Sequence, residues 1–122
     1  MSTPTNQQAY TKAKEFVEAI NLRDSKALLQ GSRISNAVAD EIYESIDDYF
    51  EKGTKLSIAP EEKAFDSHRR QRPFIDTYET NGKALGLECV IFADGKPSEA
   101  ILHIEVSESN GQLAVYYKYI GS

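Results

Sequence analysis

Apolar residues recur at every second position in three runs within the C-terminal third of the chain. The runs are Leu85-Leu87-Cys89-Ile91, Ala100-Leu102-Ile104-Val106 and Leu113-Val115-Tyr117-Tyr119. A period of two is typical of a strand with one buried face. The two connections are short and contain Asp-Gly and Asn-Gly, dipeptides that tolerate the positive φ of hairpin turns. This third of the chain is therefore predicted to be an antiparallel meander.

The N-terminal half shows helical periodicity instead. Helices are predicted over 4–22 and 25–30, the second capped by Asp24, and a third helix capped by Ser35 is predicted to run to Lys52, with Gly53 as its left-handed C-terminal residue. Short strands are predicted over 55–58 and 74–80, with a turn at Asn81-Gly82 leading into the meander. Three helices followed by four to six strands predict one α+β domain over 1–122, in which the helices cover one face of an antiparallel sheet.

The alternation also predicts which side chains are buried. The most buried residues should include Phe16, Val17, Ile42, Ile46, Leu87, Leu102, Ile104 and Val115. The opposite face of the meander should carry Glu88, Val90, Phe92, Ile101, His103, Glu105, Tyr116, Lys118 and Ile120. This face is either a dimer or partner contact, or a solvated surface with cross-strand pairs such as Glu105 with Lys118, or, as the least favoured alternative, a metal or catalytic site. A shift of one residue would exchange the two faces.

Composition excludes several classes of function. A net charge of −5 over 122 residues argues against nucleic acid as a partner and permits a basic protein partner. The one basic cluster, 68–72, is predicted to be solvated in a loop, with phosphate or carboxylate binding as the alternative. The single cysteine, Cys89, is predicted to be a packed core thiol.

No cofactor or metal site is predicted, because the two histidines lack metal-ligand spacing and no phosphate-binding glycine loop is present. The chain has neither the apolar run of a membrane span nor the features of a signal peptide, so a cytoplasmic protein without membrane contact is expected.

The outer surface of the third predicted helix is unusually acidic. It carries Asp40, Glu41, Glu44, Asp47, Asp48 and Glu51, and no basic residue intervenes before Lys52. The spacings 40/44, 44/48 and 47/51 are like-charge pairs that each cost about 0.2–0.5 kcal/mol in an isolated helix. Either this surface receives a basic partner, or it is an ordinary solvated helix face.

The helix junction supports a resemblance to a known family. The segment from Phe16 to Leu29, FVEAINLRDSKALL, resembles the opening of the nuclear-transport-factor-like (cystatin-like cone) superfamily, and the closing strand from Tyr116 to Ile120 fits the same pattern. The resemblance implies a strongly curved sheet wrapped around the helices, often in a dimer. The superfamily includes dehydratases, isomerases, small-ligand binders and protein-binding modules, so the fold alone selects no activity.

Enzymes of that superfamily place an Asp, His or Tyr inside the cone. The predicted inner face of the three closing strands offers only the phenols of Tyr117 and Tyr119, and Asp76 and Tyr78 on an earlier strand are the remaining candidates. These four residues define an alternative pocket for a small-ligand binder or a lyase or isomerase. The shortage of an acid or base argues against catalysis.

A non-catalytic protein-binding domain is the favoured interpretation. In size, charge and architecture the chain resembles bacterial immunity proteins that neutralise nuclease toxins, which must be basic to grip nucleic acid. The acidic helix would bind such a partner. Phe92, His103 and Tyr116 on the outer sheet face offer a second contact, for the partner or for a homodimer formed through the sheet.

Overall fold

The computed structural model describes residues 3–31, 34–66, 73–80 and 82–122. The basic cluster at 68–72 and the turn residue Asn81 lie outside the described residues. The elements in chain order are α1 (Asn6–Leu22), α2 (Ser25–Gly31), α3 (Asn36–Tyr49), β1 (Leu56–Ser57), α4 (Glu61–Ala64), β2 (Ile75–Glu79), β3 (Leu85–Ala93), β4 (Lys96–Ser109) and β5 (Gln112–Gly121). The predicted α+β class is confirmed: the N-terminal helices pack on one face of a curled antiparallel sheet of five strands, which forms a half-barrel.

Side-chain hydrogen bonds cap the starts of α1 and α2, and a left-handed residue closes α1. Thr5 and Gln8 form a capping box at the start of α1, with the Thr5 hydroxyl accepting from the Gln8 N–H at 3.1 Å and the Gln8 side chain accepting from the Thr5 N–H at 2.9 Å. The helix ends at Leu22 and is capped by Arg23, whose φ of 51° is left-handed. The predicted cap of α2 is confirmed, because Oδ1 of Asp24 accepts from the Ala27 N–H at 3.1 Å.

The third helix begins as predicted and ends earlier. Ser35 caps it, accepting from the Val38 N–H at 3.2 Å, but α3 stops at Tyr49 rather than at Lys52. The N–H and the hydroxyl of Thr54 both donate to the Glu51 carbonyl, at 3.1 and 2.7 Å, and this turn competes with a further helical turn. Gly53, with φ of 89°, belongs to that turn. The placement of Gly53 as the C-terminal residue of the helix and of Glu51 on the helix surface was therefore wrong.

The sheet has the order β1-β3-β4-β5, and β2 also pairs with β3. All of these pairs are antiparallel. The inner side of the sheet and the helices enclose one core. All eight residues predicted to be most buried lie in it, each no more than 6% exposed: Phe16, Val17, Ile42, Ile46, Leu87, Leu102, Ile104 and Val115.

A β-bulge in β5 corrects the predicted face of its last residues. Ile104 pairs with Tyr117 and His103 pairs with Tyr119, so Lys118 is an extra residue on β5. Beyond the bulge the alternation is reversed. Tyr119, predicted to point inward, lies on the outer face and is 53% exposed, whereas Ile120, predicted to be on the outer face, is buried in the core.

The outer face is apolar where β1 and β2 meet β3. Phe92 stands on that face as predicted, but it is only 8% exposed because its ring packs edge to face on Phe74, with 5.0 Å between the ring centroids. Phe92 is therefore a packing residue rather than an open contact surface. None of the helices in the described part of the chain has the length and apolar character needed to cross a bilayer.

Candidate partner-binding surface

Five carboxylates project from one side of α3. Because each residue of an α-helix turns by about 100°, these five lie within an arc of about 120°, opposite the side that carries the buried Ala39, Ile42 and Ile46. All five residues are exposed. We call this surface the acidic face; its members are Asp40, Glu41, Glu44, Asp47 and Asp48. Glu51 is also exposed and follows the helix end.

The acidic face is almost without compensating charge. Among the described residues, Asp40, Glu41, Glu44 and Asp48 make no ion pair. Asp40, Glu44 and Asp48 follow each other at intervals of four residues and form a ridge about 12 Å long. Such a concentration of one sign of charge attracts cationic groups over about a Debye length, 8–10 Å near physiological ionic strength.

Asp47 differs from the other four because Arg23 pairs with it. An Nη of Arg23 bonds Oδ1 of Asp47, and the same guanidinium lies over the Tyr43 ring, 5.1 Å from its centroid. The Tyr43 hydroxyl in turn lies 2.9 Å from the Ser25 hydroxyl, within hydrogen-bond distance. These contacts tie the α1–α2 corner to α3. The composition of α3 gave no indication of them, since Arg23 and Asp47 are 24 residues apart.

A shallow cleft of about 540 Å³ adjoins the C-terminal end of the acidic face. It is lined by residues 47–52, which include two carboxylates of the acidic face as well as Glu51 and Lys52. The negative end of the α3 dipole points in the same direction, and this favours cations there. The cleft is large enough to receive a side chain of a partner protein.

The outer face of the sheet carries a second polar group of residues. Register places Asp76, Glu88, His103 and Tyr119 side by side in one row across β2, β3, β4 and β5. The rings of His103 and Tyr119 are stacked, with centroids 4.0 Å apart and planes inclined by 14°. The bulge at Lys118 makes this stack possible, because without it Tyr119 would point into the core.

The neighbouring row joins β2 to β5 through a lysine. Lys118 pairs with Glu105, Nζ to Oε2 at 3.2 Å, which confirms the predicted cross-strand pair. The hydrogen bond to Glu105, the charge that Tyr78 carries when its phenol is ionised and the charge of Glu105 raise the pKa of Lys118. Tyr116 stands opposite Glu105 and is 46% exposed. The row therefore combines aromatic rings with both signs of charge on an open surface.

The four residues of the alternative pocket do not converge. Tyr117 points inward as predicted and stacks on Phe16, with centroids 6.2 Å apart; burial raises the pKa of its phenol. Asp76, Tyr78 and Tyr119 lie on the outer face, because their strand neighbours Ile75 and Ile120 occupy the core. The interior pocket assigned to these four residues was therefore wrong.

The described part of the chain offers neither a cluster of metal ligands nor a cleft lined by the predicted pocket residues. It contains no group of three or more His, Cys, Asp or Glu side chains placed to hold a metal ion. A cleft of about 460 Å³ lies where α1 and α2 meet β5, with Phe16, Leu28 and Val115 at its base and Lys12 and Gln30 among its lining residues. Its lining contains none of the residues predicted for a ligand pocket.

No family model, no curated protein and no solved structure matches this chain.

Proposed function

We propose that this protein is a non-catalytic binding domain whose acidic face receives a basic protein partner. One observation carries the proposal: four of the five carboxylates of the acidic face make no ion pair with the described residues. In an isolated helix, unrelieved like-charge pairs at this spacing are destabilising. A partner that supplies lysine or arginine would offset that cost. The opposite charges would also raise the association rate constant.

The helix beneath the acidic face is held by core packing, a cap and an ion pair, which suits a preformed interface. Ile42 and Ile46 anchor α3 in the core, Ser35 caps its start, and Arg23 bonds its side. A surface that is already ordered loses little conformational entropy when it binds. The outer face of the sheet offers a second surface away from the helices, with the His103–Tyr119 stack in one row and the Lys118–Glu105 pair in the next.

The narrower form of the proposal is an immunity protein that neutralises a nuclease-type toxin. A nuclease must present a basic surface to hold phosphates, and a carboxylate-rich helix opposes such a surface with complementary charge. The same proposal includes membership of the nuclear-transport-factor-like superfamily, for which the order of helices followed by a curled sheet is the supporting feature.

The test is affinity capture from the native source at low and high salt. The test variant carries Asp40→Lys, Glu44→Lys and Asp48→Lys and keeps Asp47 for Arg23. A matched control carries Glu18→Lys, Glu79→Lys and Glu99→Lys, which changes net charge equally at exposed sites elsewhere. We expect a basic protein to be retained by the parent and the control at low salt and to be lost from the test variant. Equal retention by the test variant would refute the proposal.

A homodimer through the sheet is a second candidate, favoured by the position of the exposed aromatic residues. Among the described residues four large hydrophobic side chains are exposed, and three of them, Tyr78, Tyr116 and Tyr119, share the outer sheet face. Aromatic side chains of this kind are enriched in interfaces. Sedimentation equilibrium should give a dimer for the parent and a monomer for Tyr116→Glu. A monomeric parent at high micromolar concentration would exclude this candidate.

A further inference from the structure

Arg23 is the basic side chain that the described structure places on the acidic face. Its guanidinium bonds Asp47 and covers the Tyr43 ring, while the side chains of Arg23 and Asp47 remain 46% and 56% exposed. The contact is therefore open to competition from cations in solution or on a partner.

The position of this guanidinium is fixed by the backbone at the α1–α2 corner. Arg23 is left-handed at φ 51°, its N–H donates to the Ile20 carbonyl at 3.0 Å, and the next residue, Asp24, caps α2. The Tyr43 ring beneath the guanidinium is held by the Ser25 hydroxyl. Because both the arginine and its aromatic support are held in place, the ion pair requires little further ordering.

This pairing divides the acidic face into two parts. Asp47 is neutralised, whereas the ridge of Asp40, Glu44 and Asp48 stays open. We propose that Arg23 determines the specificity of the acidic face: it acts as an internal competitor that occupies Asp47 and confines a partner's cationic side chains to the ridge. This inference rests on the proposed function. The partner would present cationic groups about 6 Å apart, the spacing of adjacent turns of α3.

A cation brought to Asp47 would also meet the guanidinium of Arg23. Like charges at such short range oppose each other, so the partner gains from the ridge and gains little from Asp47. The two carboxylates Asp47 and Glu44 therefore serve as an internal comparison, since they belong to the same helix and the same exposed face but differ in whether Arg23 bonds them.

The probe is amidated hexa-arginine, whose dissociation constant is measured by titration calorimetry at low and at physiological salt. The variants are Asp47→Asn, Glu44→Gln, Arg23→Asn and the double variant Arg23→Asn/Asp47→Asn. Asparagine is chosen at position 23 because it tolerates left-handed backbone. Lys26→Gln is the matched control, because it removes one exposed, unpaired positive charge from the neighbouring helix α2.

We expect Glu44→Gln to weaken binding by about threefold, in line with the energies of exposed ion pairs. The double variant Arg23→Asn/Asp47→Asn, which removes one charge of each sign, should change binding by less than about 1.5-fold. Arg23→Asn should tighten binding by about threefold, clearly more than Lys26→Gln. In the Arg23→Asn background, Asp47→Asn should then weaken binding about as much as Glu44→Gln does in the parent.

Three results would overturn the inference, and they separate it from the proposed function. A loss of affinity from Arg23→Asn/Asp47→Asn as large as that from Glu44→Gln would show that Arg23 does not neutralise Asp47 toward the probe. Equal gains in affinity from Arg23→Asn and Lys26→Gln would show that Arg23 acts only through the net charge of the protein. Both results leave an acidic binding surface intact, whereas a parent without salt-dependent binding would remove the proposed function together with this inference. Asp47→Asn alone leaves the Arg23 charge without its partner and should weaken binding at least as much as Glu44→Gln does.

Discussion

The ring of Tyr78 on β2 lies over Gly86 on β3, the residue opposite it in the sheet register. A methyl group at position 86 would overlap that ring. The absence of a side chain at position 86 lets Tyr78 lie close to the sheet and reach Lys118 on β5. Gly86 thus permits a contact that joins three strands on the outer face.

Gly86→Ala should lower the free energy of unfolding by about 1–3 kcal/mol, because the added methyl group must displace Tyr78. Urea denaturation measures the change. Gly82→Ala is the control, since that glycine has open space around it. The double variant Gly86→Ala/Tyr78→Ala should cost less than the sum of the two single substitutions, and strict additivity would show that the ring and the methyl group do not compete.

Asp24→Ala should destabilise the fold by about 0.5–2 kcal/mol, because the Ala27 N–H loses its acceptor at the start of α2. Asp24→Asn keeps a side-chain oxygen at the same place and should cost clearly less. Thermal unfolding compares the three proteins. Binding of a basic probe should be unchanged in Asp24→Ala, and a loss of binding without a loss of stability would reassign Asp24 to the partner surface.

Local signals explain which parts of the fold could be predicted. The caps at Asp24 and Ser35 are read from neighbouring residues, and the alternation in β3, β4 and the first part of β5 follows from burial of one face. The bulge at Lys118 could not be predicted from alternation, because it depends on Ile120 entering the core beside Leu102. A strict period of two assigned Tyr119 and Ile120 to the wrong faces for this reason.

The candidate site was predictable to a similar extent. The acidic side of α3 follows from composition and helical period, and the structure places its carboxylates on one exposed arc. The pairing of Arg23 with Asp47 depends on how the α1–α2 corner packs against α3, so no local pattern encodes it. The interior pocket was misassigned because Asp76 and Tyr78 alternate with Ile75, which is the residue of β2 that enters the core.

The bulge predicts that truncating Ile120 costs more stability than truncating Tyr119. Ile120→Ala should cost about 2–4 kcal/mol, since it removes a side chain packed in the core. Tyr119→Ala removes a ring that is 53% exposed and stacked on His103, and should cost about 1 kcal/mol or less. Chemical denaturation gives both values. If Tyr119→Ala cost more than Ile120→Ala, the inward and outward side chains of β5 would alternate without interruption, and the bulge would be excluded.

Cys89 should make stability depend on alkaline pH. Burial raises the pKa of its thiol from 9.0 to about 12, so the unfolded chain ionises first and binds fewer protons above pH 9. Stability should therefore be fully present below pH 9 and decrease as pH rises from 9 to 12, with a slope of at most about 1.4 kcal/mol per pH unit from this group. Denaturant unfolding across that range should show a shallower slope for Cys89→Ala. Parallel slopes would indicate that the native thiol ionises normally.

The acidic face should carry a cost in stability that a single substitution can measure. Glu44 stands four residues after Asp40 and four before Asp48, so Glu44→Lys converts two repulsive pairs into two attractive ones and should raise the free energy of unfolding by about 0.5–1.5 kcal/mol at low salt. Glu44→Gln removes the repulsion alone and should give about half of that gain.

Both gains should shrink toward zero in 1 M salt, where the Debye length is about 3 Å. If Glu44→Lys is neutral or destabilising at low salt, Glu44 must already be held by an attractive contact. Repulsion between the carboxylates of the acidic face would then not lower stability. A gain in stability combined with lost binding of a basic protein would show that these carboxylates oppose folding and serve association, which is the balance expected of a surface maintained for a partner.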